Sequence, residues 1–166
     1  MAWSIGANVA TGDVLTATRY NQDVIANMTA IGGAWTSYTP TWTNLTVGNG
    51  TNASAYVQAG KLIIVRIKFT LGSTSSVGTI PYATVPASFN SAYTGTFPVG
   101  SCTMFDLSTD AVWFGHAIPD SSLTNIRFFV DNVAGTYSTA GVVSATAPMT
   151  WATGDRLETT FVYESA

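Results

Sequence analysis

The clearest pattern in the chain is the alternation from Leu62 to Leu71. Ile63, Val65, Ile67, Phe69 and Leu71 fall on one side, and Leu62, Ile64, Arg66, Lys68 and Thr70 on the other. A period of two, carried by β-branched residues and ending on a polar outer side, predicts a strand half buried along most of its length. Gln58-Ala-Gly60-Lys61 supplies a hairpin turn into it from a strand beginning near Tyr56. Arg66 and Lys68 are expected on a solvated or subunit-facing edge, with no chemical role.

Shorter pieces of the same kind surround it. Asn44 to Ser54 is expected to be a strand end and a turn-rich loop, Gly72 to Gly78 a loop, and Ile80 to Pro86 an irregular extended stretch. Strands are expected over Gly100–Leu107, Ala111–Ile118 and Asn125–Val130, with a turn at Pro119-Asp-Ser-Ser. Asp131 to Gly141 is expected to be a loop, and Pro148 to Leu157 a turn entering a last strand, Leu157 to Tyr163. No internal repeat of fixed period is visible. Short strands at regular spacing predict a mainly β chain, an antiparallel β-sandwich of jelly-roll type.

Before this β region the period changes. Thr16 can cap a helix over Ala17 to Ile31, on which Tyr20, Val24, Met28 and Ile31 recur at helical spacing. Gly32-Gly33 stands where a helix stops, which commonly requires a positive φ. A helix this short is marginal alone in water. It packs either on its own β domain or on copies of itself, and the glycine pair, which would let it stand off the domain, favours copies. Residues Ala2 to Leu15 show no period and read as an arm that orders on a partner. The junction is Trp35-Thr-Ser-Tyr38-Thr-Pro40-Thr-Trp42. Pro40 cannot continue a helix and holds the preceding residue extended. Trp35, Tyr38 and Trp42 are too many large rings for a solvated linker, so the stretch is expected to be a hinge that buries them. The organisation is thus 1–34 for attachment and oligomerisation, and 35–166 for the β-sandwich.

Composition narrows the function. Charged residues are 9% of the chain, against about 25% in an ordinary globular protein. Disorder does not explain this, because five Trp, seven Tyr and eight Phe are present. Net charge is −3, and the six Lys and Arg form no cluster along the sequence, which argues against nucleic-acid binding and against a polybasic membrane site. Cys102, the one cysteine, allows no intrachain disulfide and is expected to be a buried thiol. The first residues lack a basic n-region and an apolar h-region, and the run Leu62 to Val65 is too short to span a bilayer. Synthesis in a cytoplasm is therefore expected.

Candidate chemistry is sparse. His116, the single histidine, stands in an apolar strand and is expected at a core or interface; a triad with a serine and Asp106 or Asp110 has no nucleophile elbow to support it. Metal ligands are not clustered. Most of the acids fit turn chemistry, Asp120, Asp131 and Asp155 among them, and do not suggest the carboxylate pair of a glycosidase. Neither catalytic nor metal residues are assigned, and no cofactor is expected. Asn44-Leu-Thr, Asn49-Gly-Thr and Asn52-Ala-Ser match the N-glycosylation pattern, as chance allows in so Thr-rich a chain. Trp3, Trp35, Trp42, Trp113, Trp151, Tyr93 and Tyr137 could present rings to a sugar, although most of the tryptophans are expected in the core or a subunit interface. No receptor-binding residue is assigned.

Thr16-Ala-Thr-Arg-Tyr-Asn21 before an amphipathic helix, Trp35-Thr-Ser-Tyr-Thr-Pro-Thr-Trp-Thr43, and Tyr56 to Gly60 entering an apolar strand have a recognisable order. With the closing Trp151-Ala-Thr-Gly-Asp-Arg156 and Phe161-Val-Tyr-Glu164, the chain resembles minor tail, tail-fibre and head-fibre proteins of tailed bacteriophages. The resemblance implies a virion surface protein made in the host cytoplasm. It implies a homotrimer in which the N-terminal region binds other virion proteins. The β domain would point outward for adhesion to the host, with a cell-surface glycan as the implied receptor class. The chain is shorter than many tail receptor-binding proteins. A free carbohydrate-binding module is the alternative, and a small hydrolase the third.

Overall fold

The computed structural model describes residues 11–14, 16–93, 97–133 and 138–166, with the side chains of residues 30, 31 and 133 outside that set. Most of the expected N-terminal arm lies outside the described residues. A helical segment comes first: α1 (Ala17–Tyr20), a π-helical stretch (Asn21–Ile25) and α2 (Ala26–Gly32). Eleven strands follow: β1 (Thr36–Ser37), β2 (Trp42–Thr46), β3 (Thr51–Asn52), β4 (Ala55–Ala59), β5 (Leu62–Thr70), β6 (Ser76–Thr84), β7 (Gly100–Asp106), β8 (Ala111–Pro119), β9 (Asn125–Val133), β10 (Ser138–Val142) and β11 (Arg156–Glu164). Among the described residues no helix follows Pro40, and no helix is long and apolar enough to cross a membrane.

All strands join one antiparallel sheet in the order β1-β4-β5-β11-β7-β8-β9-β6-β2, with β10 on β9 and β3 on β5. The sheet curls into a half-barrel, so that its two arms face each other as in a β-sandwich. Alternation explains the core. On β5, Ile63, Val65, Ile67 and Phe69 are buried, and β11 sets Leu157, Phe161 and Tyr163 beside them. Met104 and Cys102 of β7 and Ile126 and Phe128 of β9 complete the concave side. A one-residue slip in any of these strands would turn its apolar set outward. The buried Tyr163 hydroxyl donates to the Ala87 carbonyl at 2.7 Å, and the Trp151 indole N–H donates to the Ser144 carbonyl at 2.9 Å. Both polar tips thereby avoid the cost of an unmatched buried group.

The β4–β5 hairpin turns on Gly60-Lys61, with Gly60 at φ 61, where glycine carries no Cβ penalty. Three expectations need correction. Strand β6 takes in the last residues of the expected loop, Ser76 to Gly78, and most of the irregular stretch from Ile80. Ile80, at φ 51, and Pro81 break the local pattern there, while the Asn44 amide bonds the carbonyls of Thr79 and Ile80 across a shift in the β2–β6 register. The expected loop from Asp131 holds the end of β9 and, as its antiparallel partner, β10, so Asp131 is a strand residue rather than a turn residue. The helix stops without a left-handed residue: Gly33 leaves it in extended geometry at φ −65, ψ 156.

Candidate functional site

Thr16 caps the helix as expected, its hydroxyl oxygen accepting the Arg19 N–H at 3.2 Å. Asp13 and Asp23 flank the Arg19 guanidinium at 3.8 and 3.6 Å. The helix touches its own β region lightly, through α2 against β4. Among its described side chains the buried one is polar: Asn27 is nearly enclosed and donates to the Asp23 carbonyl at 2.8 Å. Two residues of the apolar stripe are exposed. Tyr20 is 43% and Met28 64% exposed, Val24 is half-buried, and Ile25 beside them is also exposed. The Ile31 side chain lies outside the described residues. The π stretch adds a wide turn in mid-stripe, so Tyr20 and Met28 do not keep strict helical phase.

The junction residues part company. Pro40 is buried, and Trp42 enters the core between Phe69 and Phe128, with ring centroids 5.4 and 5.8 Å away. Tyr38 meets Tyr56 edge-on at 5.8 Å, and burial pushes its hydroxyl pKa upward. Trp35 is not buried, contrary to expectation: it is 42% exposed, and its ring lies under the guanidinium of Arg66 at 5.1 Å. The reason is the position of β1, an edge strand on β4 whose residues are exposed.

Arg66 belongs to the convex face of the sheet. Register lays side chains across that face in rows. One row runs Arg66, Thr160, Ser101, His116, Phe129. The next runs Lys68, Glu158, Thr103, Phe114, and the next Thr70, Arg156, Phe105, Val112. Arg66, Lys68 and Arg156, half of the chain's six Lys and Arg, are thus gathered by β5 and β11, although Arg156 is far from the other two in sequence. Glu158 lies 3.3 Å from both Lys68 and Arg156, and the Arg156 guanidinium also covers the Phe105 ring at 4.2 Å. Arg66 has no carboxylate within ion-pair distance among the described residues. Between these strands lies an open groove of about 360 Å³, lined by Arg66, Lys68, Glu158, Ser101, Thr103 and Thr160 among others. Sequence reasoning gave Arg66 and Lys68 no role, because nothing local shows that β11 and β7 line up hydroxyls beside them.

His116 is not a core residue. It sits on the convex face with its side chain 44% exposed, and Nε2 lies 2.9 Å from Asp131 Oδ1. Asp106 and Asp110 are not its partners. The Asp106 carboxylate is held below the usual range by the Ser108 hydroxyl, with help from Thr109, and serves its own turn. Asp155 is buried as a turn brace, accepting from the backbone N–H groups of Leu107 at 3.0 Å and Ala152 at 2.7 Å. Cys102 is buried, and burial pushes its thiol up to about 12. The described residues contain no group of three or more His, Cys, Asp or Glu that could hold a metal ion.

Of the remaining rings considered for sugar contact, Trp113 and Trp151 pack against the core, and Trp3 and Tyr137 lie outside the described residues. Tyr93 lies tilted against Phe89 at 5.8 Å and meets Phe97 edge-on at 5.9 Å, beside a shallow hollow shared with Ala92 and Glu164; its hydroxyl accepts the Glu164 N–H at 3.2 Å. Comparison with protein-family models, with curated proteins and with solved structures finds no match to this chain.

Proposed function

We propose that this chain is a structural subunit of a tailed-phage particle, a short fibre or surface decoration whose helix assembles with copies and with neighbouring particle proteins. In this reading the β domain is displayed outward and adheres to the host surface. The observation that carries it is the helix: Tyr20 and Ile25 keep 43% and Met28 64% of their surface exposed, while Asn27 is buried. Full burial of such side chains is worth on the order of 1.5–3 kcal/mol each, and the exposed halves amount to roughly 1 kcal/mol per residue per copy. Three copies around an axis would hide the stripe and send three β domains the same way, and closed symmetry is the usual solution for soluble chains. The number three comes from the resemblance to fibre proteins, because a stripe cannot count subunits. The low charge and hydroxyl-rich composition suit a particle surface that avoids adhesion through charge. No catalytic residue, cofactor, nucleic acid or membrane enters this reading.

The test is Val24→Asp combined with Met28→Asp, compared with the parent by light scattering. The parent is expected to be a trimer and the variant a monomer with unchanged β-type circular dichroism. A variant that stays trimeric would place assembly in the β domains instead of the helix.

A further inference from the structure

We propose that the groove on the convex face of β5, β11 and β7 binds an acidic saccharide unit, with its anionic group on Arg66 and Lys68 and its hydroxyls on Ser101, Thr103 and Thr160. For its biological role the proposal rests on the reading of the β domain as an outward adhesion domain; its chemistry stands apart from that reading.

Charge is the first argument. The chain carries net charge −3, yet Arg66, Lys68 and Arg156 stand on this face near Glu158, whose carboxylate is shared by Lys68 and Arg156. Among the described residues no carboxylate lies within ion-pair distance of Arg66, which is exposed. A guanidinium binds carboxylate or phosphate through paired N–H donors. Its contact with Trp35 at 5.1 Å limits its freedom before any ligand arrives, which lowers the ordering cost of binding.

The hydroxyls of the lining are the second argument. Ser101 and Thr160 are exposed and Thr103 is half-buried, so three hydroxyls that both donate and accept lie in adjacent registered positions. That suits a ring bearing several hydroxyls and gives nothing to an apolar ligand. The volume of about 360 Å³ is near the small end of ligand sites and fits one or two sugar rings. A neutral sugar would leave Arg66 unanswered. A nucleic acid needs a longer basic track than these cations supply.

Titration calorimetry on the full chain tests this with three probes: a glucuronic-acid oligosaccharide, a ribitol-phosphate oligomer and a neutral glucose oligosaccharide. At least one acidic probe is expected to bind about tenfold or more tighter than the neutral one, and which of the two binds identifies carboxylate or phosphate as the natural group. Arg66→Gln should weaken binding about tenfold or more, and Thr103→Val a few-fold, with unchanged circular dichroism. Glu158→Gln should strengthen it, because a carboxylate leaves the groove. Failure of both acidic probes to bind, equal binding of the neutral probe, or indifference to both Arg66→Gln and Thr103→Val would overturn the proposal. Light scattering on the same samples separates the two readings. A trimer that binds neither acidic probe overturns the groove proposal alone. A monomer that binds one supports the groove and overturns the particle reading.

Discussion

The rings of Trp42 and Phe69 lie 5.4 Å apart, tilted by 48°, although their strands β2 and β5 are not hydrogen-bonded neighbours in the sheet. The contact crosses the half-barrel and holds one arm to the other. Aromatic pairs of this kind add to the area that they bury. Trp42→Ala is therefore expected to cost about 3 kcal/mol, the low end for a large core ring, because Trp42 keeps some exposure. Trp35→Ala, at an exposed position, should cost less than about 1 kcal/mol. Urea unfolding of the two variants checks the contrast, and equal losses would mean that the junction rings act as one buried unit.

A second prediction concerns the β8–β9 pairing. A Cβ added at Gly115 would run into the carbonyl oxygen of Phe129, a backbone atom that no rotamer change can move aside. Gly115→Ala should therefore destabilise by about 1–3 kcal/mol or more through overpacking. Gly32→Ala, with open space around its Cβ, should be neutral or slightly stabilising. Thermal unfolding of the pair, followed by circular dichroism, reads the difference.

How far the sequence reveals this structure differs by element. The period of β5 predicted which of its residues would be buried, because alternation is a local property that the core then obeys. The helix cap at Thr16 was equally local. Strand β6 escaped because Ile80 and Pro81 interrupt it, and the Asn44 amide that mends the interruption comes from a distant strand. Strand β10 escaped because Ser138 to Val142 has loop-like composition and becomes a strand only by pairing with β9. The groove was invisible for the same reason: Arg66, Ser101 and Thr160 share a row only through the registers of β5, β11 and β7. A core position for His116 fails because its strand is apolar overall while its own side chain points to the convex face.

Asp120 links the β8–β9 turn to pH. Burial by itself would raise its pKa, but the Asn125 amide at 2.9 Å and the Ser122 hydroxyl at 2.8 Å outweigh it, and its carboxyl sits below the ordinary value. A carboxylate depressed in the folded state adds stability above its unfolded pKa of about 3.9, and that contribution is lost as pH falls through the lower folded pKa. Parent stability should exceed that of Asp120→Asn at neutral pH, and the gap should narrow as the pH drops below about 4. Denaturant midpoints measured across that range check this; a gap that widens on acidification would have the wrong sign.

The His116–Asp131 contact is half exposed, and such pairs contribute about 0–1 kcal/mol. His116→Ala should leave stability nearly unchanged and leave saccharide binding by Arg66 intact. Assays for ester, peptide and glycoside hydrolysis on parent and variant provide the check: a hydrolytic activity in the parent that disappears with His116 would replace the particle reading by a catalytic one.

The central claim is self-assembly through the exposed helical stripe, and sedimentation equilibrium of the full chain over a range of micromolar concentrations tests it most directly. The predicted mass is three times the 17.4 kDa of one chain. A single species of 17.4 kDa at every concentration would contradict the account.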